Sequence, residues 1–220
     1  MKKVYKDAEL PVFEIVCSED ANDPTGIRLL SIVADPAIEM KALMFSEDDI
    51  KDYAFKIDSE KQLLVGPMMI ANKKILRKDD DGNKYFVVFK PETIELMVNK
   101  FMMGDNNHSI NVDHSNTMVQ AYIQQLWIVE DPYMDKAKKL GFTLPVGSAM
   151  VQVKILDKAF WNSEVKENGK FGFSIEGLMG EQPIKMSSVV TDKDMYDLLI
   201  DELLNDDEIR KYFDNKIKNK

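Results

Sequence analysis

The order of apolar and polar residues divides the chain into elements before any residue acquires a chemical role. Ile94, Met97, Val98 and Phe101 stand at i, i+3, i+4 and i+7 within residues 91–102 (PETIELMVNKFM), and Pro91 takes the first helical position. That spacing gathers four apolar side chains on one face and predicts a helix. Residues 149–156 (AMVQVKIL) alternate instead, with Val151, Val153 and Ile155 on one face and Gln152 and Lys154 on the other, which is the period of a strand. Residues 62–71 (QLLVGPMMIA) form an apolar run bounded by charge. Residues 84–90 (KYFVVFK) are aromatic and β-branched and follow the turn signal DDDGN at 79–83. Both runs are expected strands, with room for a loop around Arg77 between them.

Further along, residues 109–112 lead into a short expected strand ending at His114, and residues 118–129 read as a longer one. Short helices are expected over 132–141, ending at Gly141, and from Asp157 as N-cap through Val165. Residues 170–178 and 182–190 are two further strands. Before Lys61 the pattern is less regular: a turn at 20–26 (DANDPTG), then an extended and later polar stretch. Residues 1–60 are therefore expected to be an N-terminal arm with the first strands, and residues 61–190 the core. From Asp192 to Glu208 there are eight acids and one base, with Met195, Leu198, Leu199 and Leu203 at helical spacing. Residues 191–220 thus read as an acidic amphipathic helix, either a solvated face or a dock for a partner or a second copy. About seven strands with two or three helices between them favour an α+β fold with a mostly antiparallel sheet or barrel.

Composition narrows the function classes. The 220 residues are 45% hydrophobic and 30% charged, enough to bury a core. No apolar run approaches the ~18–20 residues of a membrane span, and the first sixteen residues lack the apolar centre of a secretory signal. No membrane partner is expected. The single cysteine, Cys17, rules out an internal disulfide and fits a reducing cytosol. With His108 and His114 it cannot build a Cys/His structural zinc site within one chain. A net charge of −9 without a basic stripe argues against nucleic acid. Phosphate-cradling, dinucleotide-binding, HExxH and GxSxG signatures are absent, and no metal or organic cofactor is expected.

Two stretches carry candidate chemistry. INVDHS (110–115) sets His114 beside polar residues at a strand end, where its ring can reach a cleft. GKFGFSIEG (169–177) sets Ser174 in an apolar, aromatic strand between Gly172 and Gly177, and such a hydroxyl needs a partner. Serine and histidine from separate strands are the minimum for nucleophilic acyl transfer. Each also has a structural reading: Ser174 as a packed strand serine, His114 as a turn histidine and His108 as a solvated loop residue.

In order and context these stretches resemble the assembly proteases of herpesviruses and tailed phages. In that clan a histidine closing an "xNVDH" or "xNIxH" strand serves a nucleophilic serine in an "xxSL/SI" strand. Residues 25–47 (TGIRLLSIVADPAIEMKALMFSE), 63–94 and 147–177 further resemble the phage prohead-protease branch called XkdF-like. The resemblance implies a small β-barrel surrounded by helices, with His114 as general base and Ser174 as nucleophile. It implies cleavage of the scaffold, of the major capsid protein and of the protease itself, inside the prohead in the host cytoplasm. Homodimers also occur in the clan.

One position departs from the pattern. The strand that supplies the third catalytic residue in the herpesvirus enzymes matches residues 183–190, which puts Met186 at that place. Methionine cannot orient an imidazole, so the third role falls elsewhere or the pair acts as a dyad. Glu176 shares a strand face with Ser174 at i+2, about 7 Å along the strand, and ranks first. Asp113 is expected on the opposite face, and Glu130 and Glu181 are less constrained. Backbone amides of residues 178–182, expected to form a nest, and Lys185 are candidate oxyanion donors. The rival readings are a catalytically inactive relative serving capsid assembly and an unrelated α+β binding module.

Overall fold

A computed structural model describes residues 10–20, 22–40, 43–45 and 61–184. The chain divides into two compact units, Met1–Pro183 and Ile184–Lys220, and the described residues belong to the first unit apart from Ile184. The acidic helix expected at 191–220, Lys185 and Met186 lie outside the described residues.

The fold is α+β, mostly strand, in three sheets. The strands are β1 (Val12–Val16), β2 (Gly26–Val33), β3 (Leu43–Phe45), β4 (Leu63–Met69), β5 (Ile75–Lys78) and β6 (Lys84–Val88), then β7 (Ile110–Val112), β8 (Ala121–Ile128), β9 (Ala149–Ile155), β10 (Gly172–Leu178) and β11 (Gly180–Ile184). The first sheet runs β11-β1-β6-β5, the second β10-β2-β7, the third β3-β4-β9-β8. Most pairings are antiparallel; β1 with β6 and β2 with β7 are parallel. The expected barrel does not close. Closure needs every edge strand to find a neighbour along its length, and β7, one edge of the second sheet, is three residues long. At the opposite edge, β10 pairs on one side with β2 alone.

Helix α1 (Pro91–Met103) follows its pattern: Ile94, Met97, Val98 and Phe101 are its buried residues, and Glu92 sits favourably in the first turn of the helix dipole. It packs on β2 and β9. The turn at 79–83 joins β5 to β6 as a hairpin, with Gly82 at φ +79°, so the residues around Arg77 are strand rather than loop. Helix α2 (Lys136–Lys139) is shorter than expected and is capped by Asp135, whose side chain accepts from the Ala137 amide. Asp157 caps α3 (Lys158–Phe160) as expected, but the chain then widens into a π-helix, Trp161–Glu167, with Trp161 and Val165 buried. Gln152 is buried although its strand position predicted a polar face, because Lys136 and Gln124 cover and hydrogen-bond it.

The residues read as an N-terminal arm supply β2, the middle strand of the second sheet. Leu30 and Ile32 of β2, Ile110 of β7 and Phe173 of β10 point into the core with Phe101, Met150 and Trp161. Alternation sends the intervening residues of these strands to the other face. At the end of that face the β10–β2 register shifts between Glu176 and Gly177. There a Cβ on Gly177 would lie 2.0 Å from the Gly26 carbonyl oxygen, so only glycine lets the two backbones approach. Gly177→Ala is expected to destabilise the fold by about 1–3 kcal/mol through overpacking, read as a lower urea midpoint with an unchanged slope.

Candidate active site

The polar face of the β10-β2-β7 sheet carries a row of three side chains. Ser174 on β10 is directly opposite Ser31 on β2, and Ser31 is in register with Asn111 on β7. Ser31 and Asn111 are buried at 0% and 1% exposure, each flanked along its strand by core residues. A hydroxyl and an amide so enclosed must be satisfied by the protein or destabilise it.

They are satisfied by Glu176. Its Oε1 accepts from Ser31 Oγ at 2.7 Å and from Asn111 Nδ2 at 2.7 Å, and lies 3.2 Å from His114 Nδ1. Asn111 uses its second amide proton on the Ser115 carbonyl at 2.9 Å, and its Oδ1 shares the Ser31 hydroxyl with Glu176. Burial pushes the Glu176 carboxyl up, but the hydrogen bonds from Ser31 and Asn111, with the adjacent His114, outweigh it and hold the group below the ordinary glutamate range. The carboxylate is therefore the charged centre on which the site converges.

His114 is presented by a turn and not by a strand end. Strand β7 stops at Val112, and Asp113 and His114 both adopt left-handed backbone, at φ 50° and 54°. Each such non-glycine residue costs of order 1–3 kcal/mol unless its surroundings hold it. Here the Asp113 amide donates to the Ile32 carbonyl at 3.1 Å, the His114 amide to Ser31 Oγ at 3.1 Å and the Ser115 amide to the Val112 carbonyl at 3.0 Å. With Nδ1 directed at Glu176, the ring carries its proton there, which leaves Nε2 as the basic edge. The side chain is 46% exposed, so that edge is reachable from solvent.

The structure thus brings two of the three sequence-predicted site residues into contact, His114 and Glu176. Ser174 shares their sheet face and is half-buried, yet its Oγ has no hydrogen-bond partner among the described residues. Among the described residues, the serine in contact with the imidazole is Ser31, with Oγ 3.4 Å from Nδ1. Its burial and its bonds to Glu176 and the His114 amide make it a support rather than an attacking group. Ser174 also borders a small hollow lined by Met68, Met69, Phe89 and Arg77.

The other candidates fall away from the site. The Asp113 carboxylate pairs with Lys170, Glu181 accepts from the Tyr85 hydroxyl at 3.3 Å, and Glu130 is exposed. Residues 178–182 are not a nest: they run from the end of β10 into β11. Four residues of strand place Leu178 about 13 Å beyond Ser174, whereas an oxyanion donor must stand near 3 Å, so the expected donors there are withdrawn. His108 is exposed, 6.0 Å from the Tyr122 ring centroid. Among the described residues, no group of three or more His, Cys, Asp and Glu side chains converges to hold a metal, and no helix is long and apolar enough to cross a membrane.

Sequence reasoning missed Ser31 and Asn111. Ser31 carried the same signal that singled out Ser174, a hydroxyl inside an apolar strand (LLSIV), and Asn111 is likewise a polar residue between Ile110 and Val112. No protein family, curated protein or solved structure matches this chain.

Proposed function

We propose that this chain is a serine endopeptidase of the prohead-maturation type, acting inside the viral prohead in the host cytoplasm. Its substrates are the scaffold, the major capsid protein and the protease itself. The observation that carries the reading is the 3.2 Å contact between His114 Nδ1 and Glu176 Oε1. A carboxylate that fixes the tautomer of a half-exposed imidazole, two strand positions from a hydroxyl with no partner among the described residues, is the arrangement acyl transfer needs.

In this reading His114 Nε2 takes the Ser174 proton as Oγ attacks the scissile carbonyl carbon. The C–N bond then breaks and the amine leaves with the proton from His114. Water attacks the resulting ester with His114 again as base, releasing the acid and restoring Ser174. Contacts between nucleophile and base are often loose before substrate binds, and Ser174 needs to turn its hydroxyl toward the ring. The substrate enters as an added strand along the edge of β10 that pairs with no described strand, where backbone pairing supplies affinity. The small hollow lined by Met68, Met69 and Phe89 adjoins Ser174 on that strand.

A second reading is favoured by one observation, the missing hydrogen bond between Ser174 and His114: a relative that has lost catalysis and serves capsid assembly. The two separate on a fluorophosphonate probe followed by peptide mapping, with scaffold polypeptide cleavage run beside it. Labelling at Ser174 with cleavage of the scaffold is the expected result. Labelling elsewhere removes Ser174 as the nucleophile, and no labelling with the scaffold left intact removes the protease assignment.

A further inference from the structure

The turn that presents His114 is held on its inner side by backbone bonds to β2 and within the turn, but its outer side is the Asp113 carboxylate. That carboxylate meets Lys170 Nζ, which also meets Glu164 Oε2 at 2.7 Å. Lys170 is 20% exposed, Glu164 28% and Asp113 47%, so the Lys170–Glu164 pair is better shielded from water and salt than the Lys170–Asp113 pair, which lies nearer the surface. Glu164 belongs to the π-helix whose Trp161 and Val165 are buried. It is further fixed by Asn168 Nδ2 at 3.2 Å, and its carbonyl accepts the Lys170 amide at 3.0 Å. Lys170 itself stands two residues before β10, the strand of Ser174 and Glu176. The two ion pairs hold its ammonium proton firmly. A chain of contacts therefore runs from the core through Glu164 and Lys170 to Asp113, the neighbour of the base.

Resting on the protease reading above, we propose that Lys170 is a positioning residue: by bridging Asp113 and Glu164 it locks the left-handed turn that aims the His114 ring. It also ties that turn to the start of the strand bearing the nucleophile. It touches neither substrate nor reacting atoms. Its removal frees the outer side of the turn, and the ring loses its fixed aim while the fold remains.

The chain has two histidines, so imidazole NMR signals report His114 with His108 as an internal reference. In Lys170→Met, the His114 signals are expected to shift and broaden and those of His108 to stay in place. Inactivation by a fluorophosphonate probe is expected to slow about tenfold at saturation with its half-saturation concentration unchanged, the mark of lost aim rather than lost binding. Lys170→Arg is expected to restore both. Asp113→Asn, which keeps a residue tolerant of left-handed backbone, is expected to reproduce the effect and covers the case in which Lys170→Met does not fold. His114 signals and inactivation rates equal to wild type in the folded variants, or no rescue by arginine, overturn the proposal. A wild-type chain that neither labels nor cleaves, yet shows the NMR effect and its rescue, removes the protease reading and leaves the positioning intact.

Discussion

Replacing Ser174 by alanine is expected to lower cleavage by about 10⁴–10⁶-fold, the loss seen when a nucleophile acting in concert with its base is deleted. The fold should be preserved, because Ser174 Oγ makes no hydrogen bond to a described residue and its truncation leaves no buried partner unsatisfied. Ser31→Ala is the instructive comparison. Its hydroxyl donates to Glu176 and accepts from the His114 amide, and it is fully buried. Its loss leaves those groups short of a partner and is expected to cost about 1–3 kcal/mol of stability. Some activity should go with it, while probe labelling at Ser174 persists. Thermal unfolding, cleavage rate and the mapped label together assign the roles. If Ser31→Ala abolishes labelling while Ser174→Ala retains it, the nucleophile is Ser31 and the assignment is reversed.

The second large effect is expected at Glu176. Glu176→Gln keeps the size of the side chain but removes the charge that orients His114, and cleavage is expected to fall on the order of 10²–10⁴-fold. The change also disturbs two buried donors, Ser31 Oγ and Asn111 Nδ2, which now face a neutral amide. Stability should therefore fall at neutral pH. Its pH dependence follows from the depressed ionisation of Glu176. A carboxyl held below its unfolded value stabilises the fold above that value, and the contribution is lost as pH falls through the folded value. The stability gap between wild type and Glu176→Gln is thus expected to be constant near neutrality and to close on the acid side, below the ordinary glutamate range. Urea unfolding at a series of pH values measures it. A gap that widens on acidification, or none at any pH, contradicts the role given to this carboxylate.

Both predictions depend on groups whose importance differs in how far it could be read in advance. Helix α1 was legible because its burial is a local matter: four apolar residues at helical spacing must share a face, whatever they pack against. The strands β4, β6, β9 and β10 were legible for the same reason. The clean alternation of residues 149–156 nonetheless misled at Gln152, since exposure depends on what lies over a strand, and Lys136 reaches across from another element. The end of β7 was misread because a left-handed pair at Asp113 and His114 has no glycine to signal it. The Ser31 hydroxyl and the Ile32 carbonyl of a neighbouring strand hold that turn.

By itself, then, the order of residues determined the α+β class, helix α1, strands β4, β6, β9 and β10, and the pairing of Glu176 with Ser174 on one strand face, because these follow from short-range periodicity. Four of the eleven described strands and several element ends were not read from it. What only the tertiary structure decided is who meets whom across strands. Sheet order placed β2 between β10 and β7, and only that placement joins Ser31 and Asn111 to Glu176 and His114 and leaves β10 paired with β2 alone among the described strands. Such contacts arise from chain closure over tens of residues, where no local pattern specifies the partner, and the same closure packed the sheets around one core without sealing them into a barrel.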